Sequence, residues 1–129
     1  ASRAEDWFRQ ALRDLQHARD ALERKTFEWA AFAAQQGAEK AVKALYQRLG
    51  AEARGHSVTK LLAALPPGAR PSEDLIETAK ELDKHYITPR YPNSYPEGAP
   101  MDFYTRAEAQ RAIDAAERIV EHCKDHVFR

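Results

Sequence analysis

The sequence predicts an all-α protein, an antiparallel up-and-down bundle of about five helices with one long ordered loop at residues 87–104. Apolar residues recur at steps of three and four in five separate segments, which is the period of an amphipathic helix. No stretch alternates between apolar and polar residues for long enough to predict a strand. The length of 129 residues, with 43% apolar and 31% charged residues, suits one globular domain spanning residues 1–129.

The first two predicted helices are long. The first covers about residues 3–24, and its apolar face comprises Trp7, Ala11, Leu15, Ala18 and Leu22. The second covers about residues 28–49 and is rich in alanine, which favours helix and lets a neighbouring backbone approach closely. Gly37 inside this helix costs about 1 kcal/mol relative to alanine, so we expect a close helix crossing there.

Capping residues delimit the other three predicted helices. Ser57 is a plausible N-cap for a short third helix, and Ser72 is one for a fourth helix that must end before Pro89. The last helix opens with Thr105 and Glu108 at the spacing of a capping box. These signals place the helices on both sides of one irregular segment.

That segment, residues 87–104, contains four prolines, four aromatic residues and a single basic residue, Arg90. Connections of this length without regular structure are uncommon in compact domains, and the aromatic content favours an ordered conformation. Two interpretations remain open, a packed structural lid and a binding loop.

Composition narrows the classes of function and location. Twenty basic and twenty acidic residues cancel, which argues against non-specific nucleic-acid binding through a large positive patch. A single cysteine fits a reducing compartment. No apolar run is long enough to span a bilayer, and the first residues lack a signal-peptide core. We therefore expect a cytoplasmic protein that does not enter a membrane.

Self-contained catalytic and cofactor motifs are not found, so no cofactor is predicted. His122 and His126 are one helical turn apart, a spacing that can bind a metal, but no third ligand is evident and no metal site is predicted. Cys123 lies on the apolar face of the last helix, where an inert buried thiol is expected.

Individual polar residues offer two interpretations each. Lys40 and Lys43 fit either a solvated face of the second helix or a binding site. His56, after a glycine at a helix start, fits a capping or packing role as well as a ligand contact. Arg90 has no partner at helical spacing, and its guanidinium suits phosphate recognition, so a direct functional role is expected.

Four motifs now occur in a specific order. They are Ala38-Glu-Lys-Ala-Val-Lys-Ala-Leu45, Gly55-His56-Ser57, Tyr86-Ile-Thr-Pro-Arg-Tyr-Pro92 and an alanine-rich closing helix from Thr105. This pattern resembles the HEPN domain family across nearly the whole chain. The resemblance implies an antiparallel helical bundle, nucleotide binding, homodimers, and pairing with a small separate nucleotidyltransferase, often as a toxin–antitoxin pair.

The resemblance also implies a test for enzymatic activity. Many HEPN proteins are metal-independent ribonucleases that use an arginine followed, after four to six residues, by a histidine. This sequence departs from that motif, since no histidine follows Arg90 at the required distance and pairs such as Arg48 and His56 have seven residues between them. The sequence thus favours a binding module over an enzyme.

The leading hypothesis is a nucleotide- or RNA-binding subunit. Arg90 would hold phosphate, Tyr91 or Tyr95 would stack on a base, and His56 with Lys40 or Lys43 would add hydrogen bonds. We expect the loop to fold back and place Arg90 beside the Gly55–His56 turn in a small positive pocket.

Two alternatives remain. One is a metal-independent ribonuclease in which Arg90 stabilises the transition state and His56 or His85 carries the proton. The other is a purely structural dimerisation subunit.

Overall fold

The structure, a computed structural model, describes residues 2–128 and contains six α-helices and no strand within that range. The helices are α1 (Ala4–Glu23), α2 (Phe27–Arg48), α3 (Val58–Ala63), α4 (Glu73–Asp83), α5 (Pro100–Phe103) and α6 (Arg106–Val127). The predicted all-helical class is confirmed. No helix of this part of the chain has the length and apolar content needed to cross a membrane.

The four long helices alternate in direction along the chain. Arg19 on α1 contacts Glu117 on α6 at 3.2 Å, whereas Phe8, near the start of α1, packs against Phe128, just beyond the end of α6. The start of α1 therefore lies near the end of α6, and the two helices are antiparallel. Helix α4 is likewise antiparallel to α6, because Asp74 near its start meets Arg118 while His85 beyond its end lies near the start of α6. The predicted up-and-down arrangement is therefore present.

Helix α2 lies at the centre of the bundle, in contact with both α1 and α6. Its small side chains allow these close approaches, and the fully buried alanines are Ala30, Ala31, Ala34, Ala38, Ala41 and Ala44. A Cβ atom added to Gly37 would lie 3.2 Å from the backbone oxygen of Ala11 and 3.3 Å from the backbone nitrogen of Leu15. The predicted close crossing at Gly37 is thus between α1 and α2.

The crossing gives a testable consequence for stability. Gly37→Ala stabilises the helical conformation of α2 by about 1 kcal/mol. The new methyl group, however, collides with two backbone atoms of α1, which can move only if the whole helix shifts. We expect a net loss of about 1 kcal/mol in the free energy of unfolding, measured by urea denaturation. Gly68→Ala is the matched control, because nothing lies within 4 Å of its added carbon. A Gly37→Ala variant as stable as Gly68→Ala would contradict the crossing argument.

Predicted N-caps form and position the short helix α3. The Ser57 hydroxyl accepts a hydrogen bond from the Lys60 amide, as Ser72 does from Leu75 at the start of α4. The last residue of α4, Asp83, adds a second cap to α3. Its carboxylate accepts bonds from the Val58 amide at 2.7 Å and the Ser57 hydroxyl at 2.9 Å. This clamp holds the turn before α3 against the end of α4.

The segment at 87–104 is ordered, as expected, but it is more regular than its proline content suggests. It contains two turns of 3-10 helix, Thr88–Arg90 and Pro92–Ser94, and the short helix α5. A proline occupies the first turn of each, where its missing amide hydrogen costs nothing. The helix count is therefore six rather than five. Pro89 and Pro100 are buried and fix the segment to the bundle.

Candidate functional site

Arg90 ends the first 3-10 turn and lies among aromatic rings. Its Nε donates a hydrogen bond of 2.8 Å to the Tyr86 carbonyl oxygen. The guanidinium carbon is 4.5 Å from the ring centre of Phe32, 4.7 Å from that of Tyr86 and 5.3 Å from that of Tyr91. Within residues 2–128 no carboxylate forms an ion pair with Arg90. Its charge is therefore stabilised by the ring faces and remains available to an anion.

His56 shares the Tyr86 ring with Arg90. The imidazole stacks on this ring with centroids 4.3 Å apart and an interplanar angle of 15°. Its Nδ1 lies 3.1 Å from Oε2 of Glu39 on α2. The Asp83 clamp described above explains why His56 lies beside Tyr86, because it holds the turn that carries His56 next to the end of α4.

A buried carboxylate organises the α2 side of the site. Glu39 is 5% exposed and is contacted by three polar groups. The Lys43 Nζ donates to Oε2 at 3.0 Å, and the Gln35 amide nitrogen donates to Oε1 at 3.1 Å and to the His56 carbonyl oxygen at 3.2 Å. A buried charge needs such partners, and here they also fix the orientation of His56. The expected positive pocket therefore contains one neutralising acid.

Tyr91 completes the set. It follows Arg90 directly, and 47% of its surface is exposed, so part of this side chain is accessible next to the guanidinium. We refer to these side chains together as the Arg90 cluster. Its members are Phe32, Glu39, Lys43, His56, Tyr86, Arg90 and Tyr91.

Two predicted binding residues make their contacts outside the cluster. Lys40 forms an ion pair with Asp14 on α1, which draws its ammonium group toward the α1–α2 interface. Tyr95 stacks on Phe103, with ring centres 4.4 Å apart and an interplanar angle of 13°. One face of Tyr95 is thus covered by the protein itself.

The third predicted site residue outside the Arg90 cluster is His85, the alternative candidate for proton transfer. It is 6% exposed, and its Nδ1 lies 2.8 Å from the Tyr104 hydroxyl oxygen. Burial lowers the pKa of His85 to about 4, an effect that nearby Glu81 opposes and Lys84 and Arg111 reinforce. At neutral pH the ring is uncharged and a weak base, which argues against proton transfer by His85.

Sequence reasoning did not include Phe32, Glu39 and Tyr86 in the site. The two aromatic residues look like ordinary core residues in a periodic pattern, and Glu39 looks like a helical partner of Lys43. A signal for Glu39 was present, since Gln35, Glu39 and Lys43 recur at steps of four on one helix face. A polar row of this kind on an alanine-rich helix indicates a buried network.

The histidines and the cysteine of α6 have structural contacts. His122 Nε2 lies 2.7 Å from the Ala69 carbonyl oxygen, and His126 Nδ1 lies 2.9 Å from the His122 carbonyl oxygen. Cys123 is fully buried, and burial raises the pKa of its thiol well above the usual range. The thiol is therefore protonated and unreactive at neutral pH.

The alternating bundle, with the Arg90 cluster at the meeting point of α2, the α3 turn and the end of α4, defines a small helical domain with one polar and aromatic surface site. The model of the HEPN domain family matches residues 4–126. The chain belongs to the HEPN domain family.

Three solved structures share this fold. The crystal structure of TT1696 from Thermus thermophilus is 45% identical with a TM-score of 0.94, covering 98% of this chain and 99% of that one. ST0689, described as an archaeal HEPN homologue, is 44% identical with a TM-score of 0.83, covering 98% and 99%. A HEPN domain protein of Thermotoga maritima, TM0613, is 40% identical with a TM-score of 0.78, covering 96% and 98%.

A curated relative carries a functional name. The protein "Putative toxin MJ1304" of Methanocaldococcus jannaschii is 28% identical over 128 residues, covering 92% of this chain and 84% of that protein. The similarity thus extends over most of both chains.

Proposed function

We propose that the chain is a nucleotide- or RNA-binding module whose ligand occupies the Arg90 cluster. Arg90 holds a phosphate, Tyr91 stacks on a base, and His56 and Lys43 add hydrogen bonds. One observation carries the proposal: the guanidinium of Arg90 faces three aromatic rings and has no carboxylate partner in the described chain. A fixed cation beside an accessible ring is the combination that single-stranded nucleic acids require.

The cluster favours a small contact over a long electrostatic track. Lys43 and His56 both contact Glu39, whose carboxylate offsets the positive charge of Lys43, so Arg90 supplies most of the attraction for phosphate. The guanidinium is also pre-oriented by the Tyr86 carbonyl and the ring faces, which reduces the entropy lost on binding. We expect moderate affinity and a shallow dependence on salt, as for one or two phosphate contacts.

Assembly and biological context belong to the same proposal. The family resemblance supports a homodimer and a small nucleotidyltransferase as partner, and the name of the M. jannaschii relative supports a toxin–antitoxin arrangement. In this proposal the chain is the helical subunit of such a pair, and its nucleotide site serves the partner.

The second candidate is a metal-independent ribonuclease, favoured by the contact between His56 and Glu39. A carboxylate on Nδ1 orients an imidazole so that Nε2 can accept a proton. His56 would take the proton of a ribose 2′-hydroxyl. The 2′-oxygen would then attack the adjacent phosphorus, and the bond to the 5′-oxygen would break. Arg90 would stabilise the charged phosphorane, and water would protonate the leaving oxygen.

Two measurements on the same protein decide between these candidates. A fluorescent mononucleotide and a short fluorescent RNA are titrated, and labelled RNA is incubated with excess EDTA. Saturable binding with intact RNA is the expected result. Cleavage that persists in EDTA and is lost in His56→Gln would establish the ribonuclease instead. Binding of neither probe at millimolar concentration, without cleavage, would refute both.

A further inference from the structure

A second concave site lies between α4 and α6, and none of the residues that line it belongs to the Arg90 cluster. The cavity has a volume of about 280 Å³. Its wall is formed by Leu82 on α4 and by Ala112 and Ala115 on α6. The space exists because the two facing residues of α6 are alanines, which leave a gap where larger side chains would fill it. We call it the α4–α6 groove.

His85 provides a polar group in this groove. Its side chain lines the cavity although it is only 6% exposed, and its Nδ1 is occupied by the Tyr104 hydroxyl. Nε2 is therefore the ring atom left for a ligand. Because burial lowers the pKa of His85 to about 4, the imidazole is neutral and offers one directional hydrogen bond without a charge.

Five charged side chains line the groove, and two of opposite charge have no partner among the described residues. Glu81 contacts Lys84 at 3.6 Å, and Asp114 accepts a hydrogen bond of 2.9 Å from Gln110. Glu108 and Arg111 are one turn apart on α6, and neither side chain forms a hydrogen bond or ion pair with any residue from 2 to 128. By contrast, the side chain of Arg118, farther along α6, has partners on α4. Its guanidinium donates to the Thr78 hydroxyl at 3.2 Å and to Asp74 at 2.8 Å. This bridge joins α4 to α6 at one end of the groove.

We propose that the α4–α6 groove binds a small zwitterion of the α-amino acid class, with its carboxylate on Arg111, its ammonium group on Glu108 and its side chain against Leu82 and the two alanines. The volume is below that of pockets for drug-sized ligands and suits a metabolite of a few heavy atoms. A zwitterion satisfies both unpaired charges at once through charge-assisted hydrogen bonds.

A nucleobase fits these observations less well. Neutral bases would leave both charges desolvated without an opposite charge, and bases bind best on flat aromatic platforms. The residues that line the groove include no phenylalanine, tyrosine or tryptophan. This site is therefore chemically distinct from the Arg90 cluster, and its function does not depend on the one proposed there.

The test is a chemical-shift titration of the whole chain with each of the twenty free α-amino acids. Every amino acid is compared with its N-acetyl amide, which lacks both charges, and guanosine and adenosine serve as nucleobase probes. We expect at least one free amino acid to shift amides around Leu82 and Ala112, with at least tenfold weaker binding of its blocked form. Arg111→Gln and Glu108→Gln should each weaken binding about tenfold.

Control variants separate this site from general effects. Glu121→Gln, on an exposed part of α6 outside the groove, should leave the affinity unchanged, whereas Ala115→Leu should fill the cavity and abolish binding. The proposal is wrong if no amino acid, at a concentration on the order of 10 mM, changes the chemical shifts of the groove amides. It is equally wrong if the blocked amides or the nucleosides bind as well as the free amino acids.

Discussion

Replacing Arg90 with alanine is expected to weaken nucleotide and RNA binding by about 1–3 kcal/mol, up to roughly a hundredfold in Kd, the range for a charge-assisted hydrogen bond. The variant removes the one cation of the Arg90 cluster that has no carboxylate partner in the described chain. Titration of a fluorescent mononucleotide and of a short RNA measures the loss. Arg90→Lys should recover only part of it, because an ammonium group keeps the charge but not the planar geometry.

The stability of the same variant must be measured alongside. Considered from the sequence alone, an arginine in a loop contributes little to folding. Contacts with three rings and with the Tyr86 carbonyl instead lead us to expect a loss of about 1 kcal/mol in the free energy of unfolding. Arg13→Ala, on the exposed face of α1, is the control and should affect neither quantity. If Arg90→Ala unfolds the protein and residual binding is unchanged, Arg90 is a structural clamp.

The second large effect concerns pH. His85 is neutral in the folded protein down to its lowered pKa of about 4, whereas in the unfolded chain it titrates near its ordinary value of about 6.5. Between these values the unfolded state binds the extra proton, so stability falls as the pH decreases. The stabilisation that comes from keeping His85 neutral is complete above about pH 6.5 and is lost by about pH 4. The free energy of unfolding changes by at most about 3 kcal/mol across this range.

Urea denaturation at a series of pH values, for the wild type and for His85→Asn, measures this effect. The asparagine amide keeps a polar group near the Tyr104 hydroxyl but does not titrate. We expect the wild-type and variant curves to converge as the pH falls from 6.5 to 4. Parallel curves across that window would show that His85 is not the group whose protonation opposes folding.

The helices could be predicted because their signals are local. Serine at positions 57 and 72 caps a helix through bonds to an amide three residues later, so the N-caps needed no tertiary information. The glycine at position 37 indicated a crossing because nothing within α2 itself favours glycine there. The short turns within 87–104 were harder to predict, since proline both terminates helices and begins them.

The candidate site was predictable only in part, because it depends on which side chains a distant segment meets. The proximity of Arg90 to His56 was expected, but it results from the Asp83 clamp and the Tyr86 ring, and the sequence analysis assigned neither residue to the binding site. Lys40 and Lys43 look equivalent in sequence. Their partners separate them, since Asp14 lies across the helix interface and Glu39 lies on α2 itself.

The position of α2 has a consequence for hydrogen exchange. This helix supplies Phe32, Glu39 and Lys43 to the Arg90 cluster, and its crossing at Gly37 lies in the core. Its backbone amides should therefore exchange with solvent only when the whole bundle unfolds. The 3-10 turns around Arg90 are short and are held to the bundle through Pro89 and the contacts of Arg90, so they can open locally. A ligand bound at Arg90 would slow amide exchange in those turns. Amide exchange along α2 would still be governed by global stability. The α2 side of the Arg90 cluster is therefore rigid, whereas the 3-10 turns respond to the ligand.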